Sequence, residues 1–234
     1  MMPAETLKAT IPTPADQARL VALDAPTSPA AEQYRVLHQR LLRLAARRPM
    51  RVVAVTSAGR REGRTTTAVN LALTAAQEGR ATVLVEGDLR RPTLSALLGL
   101  APRAGLADVI EGRAELAQAI ARLGPLAVLC AGGDGQDAPL RSPRTQAVLE
   151  QLRAAYELVI VDAPPALAFA EGDRLAGSAD GALLVVRAGA TPRQVVRLAL
   201  EALGERAAGI VLNDVDAGSL LHARFMYGGG GEGA

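Results

Sequence analysis

A phosphate-binding loop is the first chemical possibility that the sequence offers, in the stretch TSAGRREGRTTTAVNLAL at residues 56–73. The pattern is typical of a strand end, a turn that contains glycine and the first turns of a helix. Counted from Ala58, the spacing matches a small residue, four spacers, Gly63, a basic residue and Thr65. In such a loop the backbone N–H groups and the positive end of the helix bind phosphate oxygens. Arg64 stands where a lysine is usual, and its planar guanidinium is bulkier than an ammonium group. The loop alone supports a nucleotide site and an ordinary strand–turn–helix junction equally well.

Carboxylates follow two further apolar runs. Glu86 and Asp88 lie two residues apart in VEGDLRRP, so in an extended chain both side chains would point to the same side. Asp162 ends the apolar run of LVIVDAPP, as the carboxylate of a Walker B strand does. Such groups suit Mg²⁺ binding or removal of a proton from a hydroxyl group. The alternative for the first pair is a solvated turn that pairs with Arg90 and Arg91.

A final polar residue, Asn213, follows the last apolar run, where its amide could bind the edge of a base. Asparagine is also common in turns, so this signal is weak alone. The loop, the paired carboxylates and Asp162 occur in that order in one chain. This combination favours nucleotide binding more strongly than any of its parts.

The elements that would position these residues alternate along the chain. Apolar runs predict strands at residues 52–55, 82–85, 126–129, 158–161, 183–186 and 210–212. Helical patterns predict helices at residues 66–77, 114–121, 144–154 and 193–203. Nearly continuous apolar strands alternating with helices indicate a doubly wound α/β fold, with a mainly parallel sheet covered by helices on both faces. In such sheets ligands bind at the carboxyl ends of the strands, which is where the polar residues above lie.

Three segments are predicted along the chain. Residues 1–27 contain several prolines and no sustained periodicity, which predicts a flexible arm. A helix is predicted at residues 28–48, where Ser28 suits the N-cap, Pro29 suits the first helical position, and apolar residues recur at helical spacing. Residues 218–234 include four consecutive glycines and predict a flexible tail. The folded domain is therefore expected to span residues 28–217.

Composition limits the classes of function. The 234 residues suffice for one α/β domain, and a net charge of +2 with dispersed arginines does not indicate a nucleic-acid partner. The single cysteine, Cys130, lies in an apolar run, which predicts a buried side chain in a reducing cytoplasm. No apolar stretch approaches the ~20 residues of a membrane span, and the N-terminus lacks the apolar block of a signal peptide.

Several phrases of the sequence resemble the bacterial tyrosine kinases of capsule and exopolysaccharide synthesis. These phrases, which cover about residues 28–217, are SPAAEQYRVLHQRL, VTSAGRREGRTTTAVNLA, VLVEGDLRRPTL, VIVDAPP, ADGALLVVRAGATPRQVV and GIVLNDVD. The resemblance implies a cytoplasmic P-loop kinase that uses Mg²⁺ and ATP. The related MinD and ParA ATPases carry an extra lysine near the start of the loop, where this sequence has Gly59. That difference favours the kinase branch over a positioning ATPase.

The resemblance also implies roles for individual residues. The nucleotide-binding residues would be Gly59, Glu62, Gly63, Arg64, Thr65, Thr66 and Asn213, with Asn213 contacting adenine. The magnesium ligands would be Thr65, Asp88 and Asp162, and the catalytic residues Arg64, Glu86 and Asp88. Glu32 and Arg35 match the helix through which family members assemble into rings, although a solvent-facing ion pair explains them nearly as well.

The sequence departs from the family pattern at positions that matter for phosphoryl transfer. Arg64 replaces the loop lysine, Arg61 replaces a loop glycine, and Glu86 stands where the family has aspartate. The C-terminus has one tyrosine, Tyr227, where the family has a cluster of phosphorylation sites. These departures predict weak or absent kinase activity. An autokinase with a reduced tail and a catalytically inactive scaffold of the polysaccharide machinery both remain open.

The resemblance implies partners as well. Members of the family are often separate chains that a membrane-embedded regulator of polysaccharide chain length activates. We therefore expect a homo-oligomer that such a partner recruits to the inner face of the plasma membrane.

Overall fold

A seven-stranded sheet organises the part of the chain that the computed structural model describes, which is residues 20–101, 103–133, 140, 142–169 and 177–215. The strands are β1 (Val52–Ser57), β2 (Thr82–Glu86), β3 (Ala121–Leu123), β4 (Leu126–Leu129), β5 (Leu158–Asp162), β6 (Gly181–Arg187) and β7 (Ala207–Asn213). Their order across the sheet is β3-β4-β2-β5-β1-β6-β7. β3 runs antiparallel to β4, and every other neighbouring pair is parallel.

Helices cover both faces of this sheet. They are α1 (Val21–Asp24), α2 (Pro29–Ala45), α3 (Arg64–Gln77), α4 (Leu94–Leu97), α5 (Leu106–Glu111), α6 (Leu116–Ala119), α7 (Arg144–Ala155), α8 (Ala166–Phe169) and α9 (Arg193–Leu203). One apolar core joins the sheet to α5, α7 and α9, and a second joins the opposite face to α2, α3 and α4. The predicted doubly wound α/β fold is thereby confirmed.

The N-terminal helix begins as its sequence predicts. The Ser28 hydroxyl accepts a hydrogen bond from the Ala31 N–H at 3.2 Å, and Pro29 occupies the first helical position. Tyr34 and Leu37 pack against the core that contains α3, which agrees with the apolar stripe in the sequence.

Order extends further toward the N-terminus than the boundary predicted at residue 28. Leu20 and Ala22 are 1% and 3% exposed. The Ala22 N–H donates to Oδ1 of Asn70 on α3 at 3.0 Å, and Nε2 of Gln77 donates to the Ala22 carbonyl at 3.0 Å. A helix of four residues is too short to show periodicity in the sequence. Polar side chains of α3 hold it in place. The rest of the predicted arm and the whole tail lie outside the described residues.

The edge of the sheet at β3 differs from the prediction. The helix expected at residues 114–121 is confined to α6, and Ala121 begins a strand. Ile120 is already extended, and Gly124 adopts a φ of +57° in the turn that joins β3 to β4. A hairpin therefore replaces the last turn of the predicted helix.

Sheet order brings the predicted site residues together. β1 lies beside β5, and β5 lies beside β2, so the carboxyl ends of these three strands are adjacent. In the registers of these strands, Asp162 is opposite both Val55 and Glu86. Helix α3 starts directly above this edge. None of the helices in the described ranges has both the length and the apolarity of a membrane span.

Candidate functional site

A cavity of about 630 Å³ opens at the carboxyl ends of β1 and β2. Its walls come from the loop after β1, the segment after β2 and the segment after β5. The lining residues are Ser57, Gly59, Arg60, Arg61, Glu62, Gly63, Arg64, Thr65, Thr66, Gly87, Asp88, Leu89, Arg90, Arg91, Thr93, Leu140, Pro164, Pro165 and Leu167. Most of the predicted nucleotide-binding residues therefore share one cavity.

Gly63 determines how the loop enters α3. It is the N-cap of the helix, with a φ of +85°, which side chains of L-residues rarely permit. A Cβ atom at this position would also lie 1.9 Å from Nδ2 of Asn213. No side chain caps α3, so its first-turn N–H groups form the kind of helix start that binds anions.

Asn213 lies against the loop and is not among the residues of the cavity wall. Its Nδ2 donates to the Glu62 carbonyl oxygen at 2.9 Å, which ties the end of β7 to the loop. This bond uses one of the two N–H donors of the amide, so the contact with adenine stays a prediction.

Glu62 folds over Gly59. Its side chain is 6% exposed, and a Cβ atom at Gly59 would lie 2.9 Å from Oε1 of Glu62. Within the described residues, Oε2 of Glu62 is buried and has no hydrogen-bond partner. The Glu62 side chain is therefore turned onto the loop, and its contact with a nucleotide stays a prediction.

Arg64 connects two of the predicted magnesium ligands. Its Nε donates to Oδ1 of Asp162 at 3.0 Å, and its Nη2 donates to Oδ2 of Asp88 at 2.9 Å. The Thr65 hydroxyl donates to the other oxygen of Asp162, Oδ2, at 2.7 Å. The four side chains thus form one connected network beside the cavity, and three of them, Arg64, Thr65 and Asp88, line its wall.

Burial dominates the protonation of Asp162. The loss of hydration raises the pKa of this carboxyl to about 6, although the charge of Arg64 and the hydrogen bond from Thr65 oppose the rise. The nearby charge of Glu86 adds to it. The carboxylate of Asp162 is therefore held in its ionised form by two side chains, against the effect of its surroundings.

Glu86 does not join this network, contrary to the expectation that it and Asp88 act on one side. Its Oε1 accepts hydrogen bonds from the N–H groups of Thr93 and Leu94, and its Oε2 accepts one from the Ala131 N–H at 2.9 Å. The side chain is 1% exposed and lies outside the cavity wall. The sequence spacing of two residues could not reveal this, because the chain leaves the extended conformation after β2.

Cys130 is buried near Glu86, as its apolar context predicts. Burial, followed by the charge of Glu86, raises the pKa of its thiol to about 12. The thiol therefore stays protonated at neutral pH and behaves as a core side chain.

The predicted magnesium ligands lie together, but they do not surround an open position. Thr65, Asp88 and Asp162 supply the oxygen atoms that Mg²⁺ prefers. The guanidinium of Arg64 already lies between the two carboxylates, where it places a positive charge against an incoming cation. In the described part of the chain, no group of three or more His, Cys, Asp or Glu side chains is arranged to hold a metal ion. In this arrangement the residues do not fit magnesium.

Arginines surround the cavity in a way that the sequence analysis missed. Five of them line it, namely Arg60, Arg61, Arg64, Arg90 and Arg91. The arginines are dispersed along the sequence, so the net charge of +2 does not reveal that they gather in the folded chain. The informative signal was positional, since two Arg-Arg pairs each follow the carboxyl end of a strand.

The backbone at one of these arginines is strained. Arg61 has a φ of +59°, in the left-handed region that favours glycine. This conformation agrees with the interpretation of residue 61 as a position where the family has glycine. The loop has kept the glycine conformation with an arginine side chain attached.

The predicted assembly residues lie away from the cavity. On α2, Nε of Arg35 donates to Oε2 of Glu32 at 2.6 Å, and Nη1 of Arg35 donates to the Pro26 carbonyl at 2.9 Å. Both side chains are exposed, which matches the alternative of a solvent-facing pair. His38 is buried, with Nδ1 2.7 Å from Oε2 of Glu78. Tyr227, the predicted phosphorylation site, lies outside the described residues.

Comparison with curated proteins identifies relatives over most of the chain. No protein-family model matches the sequence. Tyrosine-protein kinase YwqD of Bacillus subtilis (strain 168) is 36% identical over 191 residues, which are 80% of this chain and 81% of that protein. Succinoglycan biosynthesis transport protein ExoP of Rhizobium meliloti (strain 1021) is 32% identical over 210 residues, which are 86% of this chain and 27% of that protein.

Solved structures share the fold. The chimerical protein CapA2B2 superposes with a TM-score of 0.77 at 25% identity, covering 84% of this chain and 89% of that one. The kinase domain of the Escherichia coli tyrosine kinase ETK gives a TM-score of 0.76 at 26% identity and covers 88% of each chain. MinD complexed with Mg-ADP from Pyrococcus horikoshii OT3 is more distant, with a TM-score of 0.61, 25% identity and coverage of 75% and 76%.

Proposed function

The chain belongs to the bacterial tyrosine-protein kinase family, and from this membership we propose that it binds ATP at the loop after β1 and regulates exopolysaccharide or capsule synthesis. The proposal rests on the cavity below that loop. Its volume of about 630 Å³ lies within the usual range for small-molecule sites. Five arginines and the uncapped start of α3 give it the chemistry of a site for a polyanion.

Each part of the cavity has a defined role in this proposal. The backbone N–H groups of Gly63, Arg64, Thr65 and Thr66 would bind phosphate oxygens at the start of α3. The exposed arginines of the rim would add charge-assisted hydrogen bonds to the outer phosphates. Asn213 would keep the loop in position through its bond to Glu62, and it would have one amide N–H left for the base.

Kinase activity is expected to be weak or absent. Phosphoryl transfer depends almost entirely on positioning and on charge aimed at the transferred group. Arg64 and Asp88 are bonded to each other, and Glu86 is bonded to three backbone amides, so the three predicted catalytic side chains are already engaged. This arrangement favours a regulatory ATP-binding protein or a scaffold over an efficient autokinase.

The proposed cellular context follows from the relatives. ExoP is a succinoglycan biosynthesis transport protein and matches this chain over only 27% of its own length. From the polysaccharide role that this relative's name states, we propose that a membrane-embedded partner recruits the chain to the inner face of the plasma membrane. Assembly with further copies would use the α2 surface around Glu32 and Arg35.

ATP titration by calorimetry tests the proposal. We expect saturable binding in buffer with magnesium, and about tenfold weaker binding after Arg60→Ala and Arg91→Ala are combined, because two charge-assisted contacts are lost. The matched control combines Arg43→Ala with Arg47→Ala, two exposed positions outside the cavity wall. Absence of ATP binding, or equal losses in both pairs, would remove the proposed site.

Phosphotyrosine formation tests the expected loss of kinase activity. The purified chain is incubated with ATP and magnesium, alone and beside Tyr227→Phe. We expect little or no signal from either protein. Strong labelling that disappears in Tyr227→Phe would show an efficient autokinase and contradict the regulatory form of the proposal.

A further inference from the structure

The guanidinium of Arg64 joins two strand ends in a way that a lysine could not reproduce. It donates from two different nitrogen atoms to two different carboxylates, at 3.0 Å to Asp162 and at 2.9 Å to Asp88. A guanidinium presents its donors in a fixed planar fork, whereas an ammonium group is a single point of charge. The side chain is 15% exposed, so this fork is mostly enclosed.

The same network engages every residue predicted to bind magnesium. One oxygen of Asp88 accepts a hydrogen bond from Arg64. One oxygen of Asp162 accepts a hydrogen bond from Arg64, and the other accepts one from the Thr65 hydroxyl. A cation entering between the carboxylates would have to displace the guanidinium and meet its positive charge. The arginine thus supplies, from within the chain, the charge that a bound ion would otherwise supply.

The remaining arginines of the cavity supply positive charge for phosphate groups. Arg60, Arg61, Arg90 and Arg91 line the cavity together with Arg64. The acidic residues of the cavity wall are Glu62 and Asp88, and Asp162 lies behind the wall on Arg64. The five guanidinium groups therefore outnumber these three carboxyl groups within the described residues. A triphosphate therefore meets an excess of positive charge before any ion is added.

We infer that Arg64 takes the place of the divalent cation between Asp88 and Asp162, so that the cavity binds a nucleoside triphosphate without magnesium. This inference rests on the proposed ATP binding and specifies its chemistry. Arg64 remains with the two carboxylates, while the loop amides and the rim arginines bind the phosphates. Arg64 is accordingly a positioning and charge-neutralising residue, and the phosphate ligand is the metal-free anion.

Calorimetric titration with ATP in excess EDTA, and again in excess magnesium at matched ionic strength, tests the inference. For the natural chain we expect dissociation constants that agree within about twofold between the two conditions. For Arg64→Lys we expect binding at least about tenfold weaker in EDTA than in magnesium, because the lysine cannot bridge both carboxylates. Arg197→Lys, an exposed substitution of the same type outside the cavity wall, should behave like the natural chain.

The outcomes separate the two claims. ATP binding by the natural chain that needs magnesium would overturn the inference and leave the proposed ATP binding intact. Absence of binding in both buffers would overturn the proposed function and the inference together. The comparison of buffers on the natural chain needs no variant, so a poorly folded Arg64→Lys would not prevent a decision. A thermal shift caused by ATP in EDTA gives a second readout that does not depend on turnover.

Discussion

Glu86 and Asp162 end neighbouring strands, pair in register and are each 1% exposed, yet they have different kinds of partner. Glu86 accepts hydrogen bonds from backbone N–H groups of Thr93, Leu94 and Ala131. Asp162 accepts hydrogen bonds from the side chains of Arg64 and Thr65. Backbone amides are fixed by the fold, whereas side chains can change rotamer. Glu86 therefore joins loops together, and Asp162 belongs to a network that a ligand can rearrange.

The two carboxylates also join different parts of the molecule. Asp162 and Asp88 share Arg64, and Arg64 and Asp88 line the cavity. Glu86 lies one strand away from Asp162, has no bond to Arg64, and holds the segments after β2 and β4. Two carboxylates that look alike in sequence are thus separated by what packs against them.

Removing the Glu86 carboxylate should have the largest effect on stability. Glu86→Ala leaves three N–H groups without their acceptor, and each amide that stays buried without a partner costs about 1 to 3 kcal/mol. We expect the free energy of unfolding to fall by about 4 kcal/mol, measured by urea denaturation. Glu150→Ala, at an exposed position on α7, is the control and should change it by less than about 0.5 kcal/mol. A loss for Glu86→Ala no larger than that of the control would show that these amides find other partners.

The pH dependence of stability should distinguish Asp162. Its pKa is about 6 in the folded chain and near its ordinary value of 3.8 in the unfolded chain. Between these values the folded chain holds a proton that the unfolded chain has released, so this group's contribution to stability is complete below about pH 4 and is lost as the pH rises through 6. The side chain of Asp162→Asn cannot titrate. The free energy of unfolding of this variant, relative to that of the natural chain, should therefore increase by about 3 kcal/mol from pH 4 to pH 7.

Asp180 is a control whose pKa shift has the opposite sign to that of Asp162. Burial alone would raise the pKa of this carboxyl, but hydrogen bonds from Arg153 and the Val52 amide lower it. Its contribution is therefore present above its ordinary pKa and is lost as the pH falls. Urea denaturation extended from pH 7 to below pH 4 should show the natural chain losing stability relative to Asp180→Asn as the pH falls through the ordinary pKa of 3.8, the direction opposite to that of Asp162→Asn. Parallel pH curves for Asp162→Asn and the natural chain would contradict the pKa of Asp162.

Much of this fold could be predicted from the sequence, because its strands are continuous apolar runs. The strand at residues 126–129 and the helix at residues 193–203 coincide with β4 and α9. The hairpin at β3 could not be predicted, since it depends on Gly124 and on pairing with β4. Helix α1 could not be predicted either, because contacts with α3 hold it.

The site was predictable in position but not in its bonding. Each polar residue at a strand end could be placed at the same edge of the sheet, and the structure brings Thr65, Asp88 and Asp162 together there. The engagement of Arg64 with both carboxylates depends on distances between strands that the sequence does not contain. The role of Glu86 depends on where the segments after β2 and β4 approach it.

Relief of the backbone strain at Arg61 should have a smaller effect on the free energy of unfolding. Arg61 has a φ of +59°, whereas Thr93, which contacts Glu86, has an ordinary φ of −135°. Arg61→Gly should raise the free energy of unfolding by about 1 kcal/mol, because relief of the left-handed conformation exceeds the added entropy of the unfolded chain. Arg60→Gly removes a neighbouring arginine without a positive φ and should lower stability by about 0.5 to 1 kcal/mol. Urea denaturation measures both, and changes of the same sign would show that strain at Arg61 does not limit the loop.

Glu32 has an exposed carboxylate, which serves as the comparison for the buried carboxylates of Glu86 and Asp162. Its replacement should change the free energy of unfolding least. It pairs with Arg35 at 2.6 Å on the surface of α2, where solvent screens the interaction. Glu32→Gln should lower the free energy of unfolding by about 0.5 kcal/mol or less in urea denaturation, and added salt should reduce the difference further. Arg35 keeps its bond to the Pro26 carbonyl in this variant, so the helix start should persist. A loss above about 2 kcal/mol in dilute protein would contradict this expectation, whereas a loss that grows with protein concentration is what the proposed assembly through α2 requires. The exposed pair would then belong to an assembly surface, and the contrast between surface and buried carboxylates would hold only for the isolated protomer.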